Sequence, residues 1–505
     1  MNRSGGFRAW RPHLFNGIPL IIYAVVTWGT MVQHEPWRGE AFAWLVARDT
    51  NLGQLFRVLA LDWHPALWYL ILMPLAHMGW PILAAGVLHW ALAVGTAAML
   101  LWKSPFSRLT RILILFSYYM FWEYCIIIRI YGPSIFLMFI LAIQYNRRFS
   151  APLRYGFLVA LLANVNLHIS FLSMGLLLAY ALECVAARRW TPRHIGAIAI
   201  MTLGLVALFL TVGKVPSADD AHGVGIFGKL FWWEVVKAPG EAFFVGVLPV
   251  AVRAEGNAIM LPVFLAPAGF TILAAVGFVL LTRPAVLLVY LVFLALDGVV
   301  CLHMGGASRH HGLILMVSLF CLWIAHQEPE HRLAAVWSGL FRGRFPDFPW
   351  RWRTTMIMLN MALLISMPAG WHMHVRERLS QFSGSKEMAR FIQSNRLTNY
   401  PIVAHKDAHT STVLAYLPDT KFWYPVDRRW GTYILQTPER RHRNETITVD
   451  EVVQMVHMQF LDSSPVLLLL SDPLPETFNN TYYPLYQVDR TVFGSDELLY
   501  LYAPR

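Results

Sequence analysis

Long apolar runs separated by short polar breaks dominate this chain. A run needs roughly 17–25 residues to cross a bilayer as a helix. Eleven segments approach that length: 17–33, 81–102, 109–128, 131–146, 155–168, 170–187, 195–213, 257–281, 284–303, 311–327 and 354–371. Residues 65–78 are also apolar, but the segment opens on His64-Pro65 and contains Pro74. It reads either as a short span or as a helix lying on the membrane surface. The polar stretch from His34 to His77 separates the first run from the second. It holds Glu35, Glu40, Asp49 and Asp62 among the aromatics Trp37, Trp44, Trp63, Trp68 and Tyr69. Such a stretch is either a solvated loop with an interfacial aromatic belt or a site at the membrane surface.

The positions of the basic residues choose between the two readings of 65–78. With the N-terminus (Arg3, Arg8, Arg11) cytoplasmic and 65–78 on the surface, every basic cluster falls on one side. These are Lys103, Arg108 and Arg111; Arg147, Arg148 and Arg154; Arg188, Arg189 and Arg193; Arg283; and Arg332, Arg342, Arg344, Arg351 and Arg353. If 65–78 crosses, every later cluster moves outside, against the positive-inside rule. The pattern therefore predicts eleven spans, an interfacial helix at 65–78, and everything after residue 372 on the outer side. No small-residue cleavage site follows the first run, so it is expected to stay as a span.

After residue 372 the pattern changes. Gly384–Gln393, Thr410–Leu417 and Asp450–Phe460 have helical spacing, with Ser385 as a cap. Tyr400–Ala404, Val466–Leu470 and Glu497–Tyr502 read as short strands, the middle one apolar throughout as in a buried parallel sheet. Helices alternating with strands predict a small α/β domain over 373–505, beside a transmembrane helical domain over 1–372. The expected fold class is mainly α.

Composition sharpens this. The chain of 505 residues is 56% hydrophobic and 14% charged, whereas soluble proteins carry about a quarter charged residues. The net charge of +11 does not indicate nucleic acid, because the basic residues are scattered between apolar runs rather than gathered on one surface. The four cysteines lie inside apolar segments, which argues against disulfides and cysteine metal sites.

The run Trp37-Arg38-Gly39-Glu40-Ala41-Phe42-Ala43-Trp44, followed by His64-Pro65-Ala66-Leu67-Trp68-Tyr69-Leu70, resembles bacterial membrane glycosyltransferases of the GT-C superfamily. The likeness is to the branch of protein O-mannosyltransferases and the lipid A aminoarabinose transferase. Glu123-Tyr124 with Arg129-Ile130-Tyr131, Asn164-Val165-Asn166-Leu167-His168 and Arg309-His310-His311-Gly312 extend the resemblance over most of the membrane region. It implies sugar transfer from a polyprenyl-phosphate donor to an acceptor hydroxyl of a glycan, lipid or protein at the outer face of the inner membrane. Relatives usually carry Asp-Glu where this chain has Gly39-Glu40, and that Asp is taken as the catalytic carboxylate.

With Gly39 in that place, Glu40 is the expected proton acceptor and Glu35 the second candidate, ahead of Asp49 and Asp62. Arg309, His310 and Arg129 are the expected phosphate ligands, since arginine is always charged and can bind phosphate through two donors. Against this, Arg309 could anchor its span to lipid headgroups, and Arg129 could pair with Glu123. Trp44, sharing a helix face with Glu40 and Ala47, and His64, Tyr131, Asn166 and His168 are expected to line the substrate pocket. His64 could instead only cap a helix, and the Asn164–His168 corner could be a packing contact. Glu35, Glu40 and His34 could donate to a divalent metal, but the loop has no Asp-x-Asp pair, so none is expected to be required. The competing classes are a transporter or flippase of a lipid-linked glycan and a non-catalytic glycan-assembly protein.

Overall fold

The computed structural model describes residues 5–62, 64–212, 232–245, 260–327, 348–460, 465–488, 491 and 498–505. Trp63, Arg332, Arg342, Arg344, Glu497 and most of the 214–256 loop lie outside them. The chain begins with α1 (Gly5–Met31), α2 (Arg38–Asp49), α3 (Leu52–Leu59), α4 (Leu67–His77), α5 (Leu83–Lys103) and α6 (Arg108–Leu115). Next come α7 (Tyr131–Gln144), α8 (Pro152–Ala163), α9 (Leu167–Ala186), α10 (Pro192–Val212) and α11 (Trp232–Phe244). Then follow α12 (Met260–Leu280), α13 (Pro284–Met304), α14 (Ser308–Gln327) and α15 (Phe348–Leu379).

By length and composition, α5, α9, α10, α13, α14 and α15 are long and apolar enough to cross a membrane. Shorter apolar helices accompany them at Phe15–Met31, Leu67–His77, Pro152–Ala163 and Phe264–Leu280. The buried faces of all these helices merge into one hydrophobic core, with α14 enclosed along nearly its whole length.

The segment expected to be one span at 109–128 is broken. Helix α6 ends at Leu115, and Tyr119–Glu123 forms a π-helical turn closed by Tyr124 N–H donating to the Tyr119 carbonyl at 2.8 Å. Close packing enforces the break. Gly312 presents no side chain where the Tyr119 ring and Tyr124 hydroxyl lie, since a Cβ there would fall 2.3 Å from the ring. The buried aromatics Tyr118, Phe121 and Trp122 complete the plug. Below it the chain runs irregularly to Arg129 before α7 begins.

Glu123, Glu183 and Asp297, the carboxylates that interrupt the apolar runs, each have a partner. Arg148 grips Glu183 through two bonds, of 3.0 and 2.7 Å. Asp297 meets His168 Nδ1 at 2.6 Å, and Glu123 accepts from the Tyr118 hydroxyl at 2.8 Å rather than pairing with Arg129. The Asn164 amide donates to the Ala160 and Gly204 carbonyls, at 2.9 and 2.8 Å, locking α8 to α10. That is a packing contact of the kind small polar groups make between membrane helices.

All six described strands lie between residues 402 and 504. They are β1 (Ile402–Ala404), β2 (Phe422–Tyr424), β3 (Arg429–Gly431), β4 (Leu467–Leu470), β5 (Tyr482–Gln487) and β6 (Tyr500–Pro504), in the order β3-β2-β1-β4-β6-β5. The all-apolar β4 is central and parallel to β1, with Val403 opposite Leu468. Its other neighbour, β6, is antiparallel. Helices α16 (Ser385–Ser394), α17 (Asp407–Thr410), α18 (Pro438–Thr446) and α19 (Val449–Gln459) accompany the sheet. Ser385 is not the cap of α16. That position is Gly384, and the Ser385 hydroxyl bonds to Ser383 inside the turn. The expected helix at 410–417 is mostly a 3-10 turn, Ser411–Ala415.

This C-terminal region sits directly on the first loop. Arg38 meets His409 at 2.8 Å, Arg48 donates to the Leu414 carbonyl at 2.9 Å, and Ser385 donates to the Pro36 carbonyl at 3.4 Å.

Candidate functional site

Local sequence builds the first loop tightly. Glu40 is the third residue of α2, and its carboxylate reaches back to accept from Trp37 N–H at 3.0 Å, satisfying a free donor at the helix start. Asn51 and Gln54 form a reciprocal capping box at α3. Helix α4 is apolar but too short to span. It packs Trp68, Tyr69, Leu72, Met73 and Ala76 inward, and His77 lies 3.1 Å from the Thr50 carbonyl at the end of α2.

Glu40 has further partners. His34 Nε2 lies 3.1 Å from one of its oxygens, and Ile128 N–H donates to the same oxygen. The other ring nitrogen of His34 is 2.9 Å from Glu377 at the end of α15, and Trp122 Nε1–H donates to Glu377 at 2.5 Å. All of these groups are buried. Burial alone would lower the His34 pKa, but the carboxylates of Glu40 and Glu377 outweigh it and raise it to about 10. His34 is therefore an imidazolium donating to both carboxylates. The cluster joins α1, α2, the π-helical turn and α15.

Glu35, next to His34 in the chain, faces Lys386 of α16 as well. Burial pushes its carboxyl up to about 7, against the opposing pull of Lys386 on α16. One of its oxygens is buried without a hydrogen-bond partner.

The open site lies beside this knot. A cavity of about 240 Å³ is lined by Trp37, Arg38, Gly39, Phe42, Ala43, Asp62, His64, Trp68, Tyr69, Arg129, Ile130 and Arg309. Ala408, Ser411, Ile434 and Gln436 close it from the C-terminal region. Arg309 sits at the start of α14 with its guanidinium carbon 5.6 Å from the centre of the Trp37 ring, and its Nε is buried without a hydrogen-bond partner. Arg129 leaves the irregular stretch before α7 and donates to His64 Nε2 at 2.9 Å. Neither arginine has an ion-paired carboxylate among the described residues.

Because Arg129 can only donate, His64 Nε2 must accept, so the ring proton is on Nδ1. That Nδ1–H donates to Asp62 Oδ1 at 2.9 Å, and the Tyr69 hydroxyl donates to Asp62 Oδ2 at 2.8 Å. Burial would raise the Asp62 pKa, but the charge and hydrogen bond of His64, the Tyr69 hydroxyl and Arg129 hold it below the ordinary aspartate value. Asp62 is ionised.

Gly39 now has a structural account. A Cβ there would lie 1.9 Å from Arg129 Nη1. The guanidinium of Arg129 occupies the space a side chain at 39 would need.

Of the residues singled out from the sequence, Arg129, Arg309 and His64 meet in the cavity. Glu40 and Glu35 are not among its lining residues. Trp44 is buried in the core, only 1% exposed. The shared face of Glu40, Trp44 and Ala47 exists, but it is the inner face of α2. Asn166 caps α9, accepting from His168 N–H at 2.9 Å. Tyr131, His310 and His168 form a ring stack behind Arg309, with centroids 6.0 and 4.6 Å apart, ending on Asp297. The sequence reading ranked Asp62 low, although the spacing Asp62-x-His64 already placed a carboxylate beside a histidine. Nothing in the sequence tied Ser411, Ile434 or Gln436 to this site.

Among the described residues no group of three His, Cys, Asp or Glu side chains is placed to hold a metal ion.

No family model matches the chain, and no curated protein matches it. Among solved structures it is similar to the crystal structure of ArnT from Cupriavidus metallidurans bound to undecaprenyl phosphate. Identity is 12% and the TM-score 0.49, over 99% of this chain and 98% of that one.

Proposed function

We propose that this protein is a GT-C-type glycosyltransferase of the bacterial inner membrane, moving a sugar from a polyprenyl-phosphate carrier to an acceptor hydroxyl. The observation that carries this reading is the convergence of Arg129 and Arg309 on one cavity, neither of them ion-paired to a carboxylate among the described residues. Two guanidiniums facing one space are suited to a phosphate that gains charge as its sugar leaves. Trp37, Phe42, Trp68 and Tyr69 line the same space and offer aromatic surface to the apolar face of a sugar ring.

The distribution of the basic clusters supports a cytoplasmic N-terminus, with the cavity and the region after residue 372 on the periplasmic side. In this arrangement α1, α5, α6 with the π-helical turn, α7 to α10 and α12 to α15 are the eleven spans, and α4 lies on the outer surface. Residues 373–505 form the outer α/β domain, which supplies one wall of the site. Reporter fusions after Arg148 and after Phe382 test this. The first should report cytoplasm and the second periplasm, and cytoplasmic signal from the second rules the arrangement out.

The binding test uses purified chain and undecaprenyl phosphate. Arg309→Ala should keep the fold and lose a charge-assisted contact of about 1.5–3 kcal/mol, roughly 10- to 150-fold in affinity. Unchanged affinity returns Arg309 to anchoring its helix. A second reading, a non-catalytic binder of lipid-linked glycan, is favoured by the engagement of Glu40 in the buried cluster. Turnover of a donor by the purified parent decides between them.

A further inference from the structure

The cavity holds one carboxylate with a histidine oriented by it, and the transfer needs a proton acceptor. We propose that the Asp62–His64 pair is that acceptor, and that Arg129 covers its basic nitrogen until a donor phosphate draws the guanidinium away. This rests on the transferase reading above and names the base within the same site.

Three observations carry it. Glu40, adjacent to Gly39, already receives Trp37 N–H, Ile128 N–H and His34. A carboxylate so occupied, buried and outside the cavity lining, is not turned to a substrate. Second, His64 has the arrangement of a working base: its Nδ1–H is fixed by Asp62, and Asp62 in turn by the Tyr69 hydroxyl. This leaves the Nε2 lone pair as the only acceptor on the ring, and His64, Asp62 and Tyr69 all line the cavity. Third, the group now on that lone pair is the Arg129 guanidinium. A guanidinium can hold a phosphate through two parallel donors and opposite charge, where a neutral ring nitrogen offers one lone pair, so an arriving phosphate competes well for it. Gly39 leaves the guanidinium's present position free of any side chain.

The step balances as follows. The acceptor hydroxyl oxygen attacks the anomeric carbon and forms the new C–O bond. The bond from that carbon to the phosphate oxygen breaks, and its electron pair leaves with the lipid phosphate, held by Arg129 and Arg309. The hydroxyl proton passes to His64 Nε2. The resulting imidazolium is neutralised by Asp62 until its proton is lost to water.

The experiment uses the purified full chain in lipid nanodiscs with a panel of synthetic farnesyl-phosphate hexoses and pentoses. Water serves as acceptor, and release of farnesyl phosphate is followed chromatographically. His64→Ala should lower turnover about 10²- to 10⁴-fold without weakening donor binding, and added imidazole should restore part of the rate. Arg309→Ala, which loses donor affinity instead, should show no rescue. Asp62→Asn keeps the volume of the side chain and should lower kcat while leaving donor affinity in place, which covers a poorly folding His64→Ala. Parent turnover matched by both His64→Ala and Asp62→Asn overturns the base assignment and leaves the transferase reading standing. So does a loss that imidazole fails to restore and that accompanies lost donor binding. No release from any donor by the parent removes the transferase reading, and the base assignment with it.

Discussion

Two histidines of the first loop sit between charged partners, and they do opposite work. His34 lies between Glu40 and Glu377 with both ring nitrogens engaged and no exposed edge. His64 has a carboxylate on one nitrogen and a displaceable arginine on the other, beside an open cavity. The same residue types give a rivet in one place and a reactive group in the other. What separates them is whether every lone pair is committed to the fold.

The strongest way to break this comparison is to remove His34. His34→Gln leaves Glu40 and Glu377 buried without a cation, and breaking a buried charge cluster costs about 3–5 kcal/mol. A large drop in Tm and in folded yield is expected. A His34→Gln protein that melts like the parent shows that the cluster holds nothing together.

The same cluster makes a pH prediction. The folded pKa of His34, about 10, lies above its ordinary value of 6.5. Its stabilisation is therefore complete below pH 6.5, declines as pH rises and is gone above pH 10. Tm should fall over that window in the parent and fall less in His34→Gln. Parallel curves for the two proteins sink the assignment.

Glu40→Gln keeps the shape but weakens the bonds to His34 and Ile128. A loss of about 1.5–3 kcal/mol is expected, with turnover per folded molecule largely retained. Intact stability with abolished turnover would instead make Glu40 the base and reverse the comparison.

Glu35 should respond in the other direction. Its carboxyl is raised from 4.5 to about 7, so its charged form costs stability above pH 7 and the cost vanishes below pH 4.5. Glu35→Gln should add about 1–3 kcal/mol at pH 8 and nothing at pH 4.5. Equal urea midpoints for the two proteins at pH 8 would show that the group is solvated.

The mildest change sharpens the account of Gly39. Gly39→Asp places a carboxylate against Arg129, whose long side chain can give way. An ion pair there would hold the guanidinium back from phosphate, weakening undecaprenyl phosphate binding about tenfold, or 1.4 kcal/mol. Tighter binding in the variant would show that Arg129 is not a phosphate ligand.

Much of the helical layer was legible because long apolar runs have few alternatives to a buried helix, and β4 announced itself as four consecutive leucines. The positions of Arg129 and Arg309 at corners of the helical layer were legible too, since each stands at the end of an apolar run. Glu40 and Trp44 lie outside the cavity lining for a physical reason. Helical spacing shows that they share a face of α2, but not whether that face meets the core or the cavity. That depends on α4, the π-helical turn and α15, which lie far along the chain. Asp62 was underrated for the same cause, because its value comes from Tyr69 and His64 closing around it.

The π-helical turn at Tyr119–Glu123 has a consequence for insertions and deletions. It holds one residue more than an α-helical turn. Ordinary α-helical winding that kept every residue there would turn everything after it by about 100° around the helix axis, a displacement the wide turn absorbs. The chain from 124 to 130 would change phase, taking the Ile128 amide off Glu40 and the Arg129 guanidinium off His64 together. The rivet and the reactive pair therefore share one register, and a lineage could not straighten the wide turn without also losing a residue.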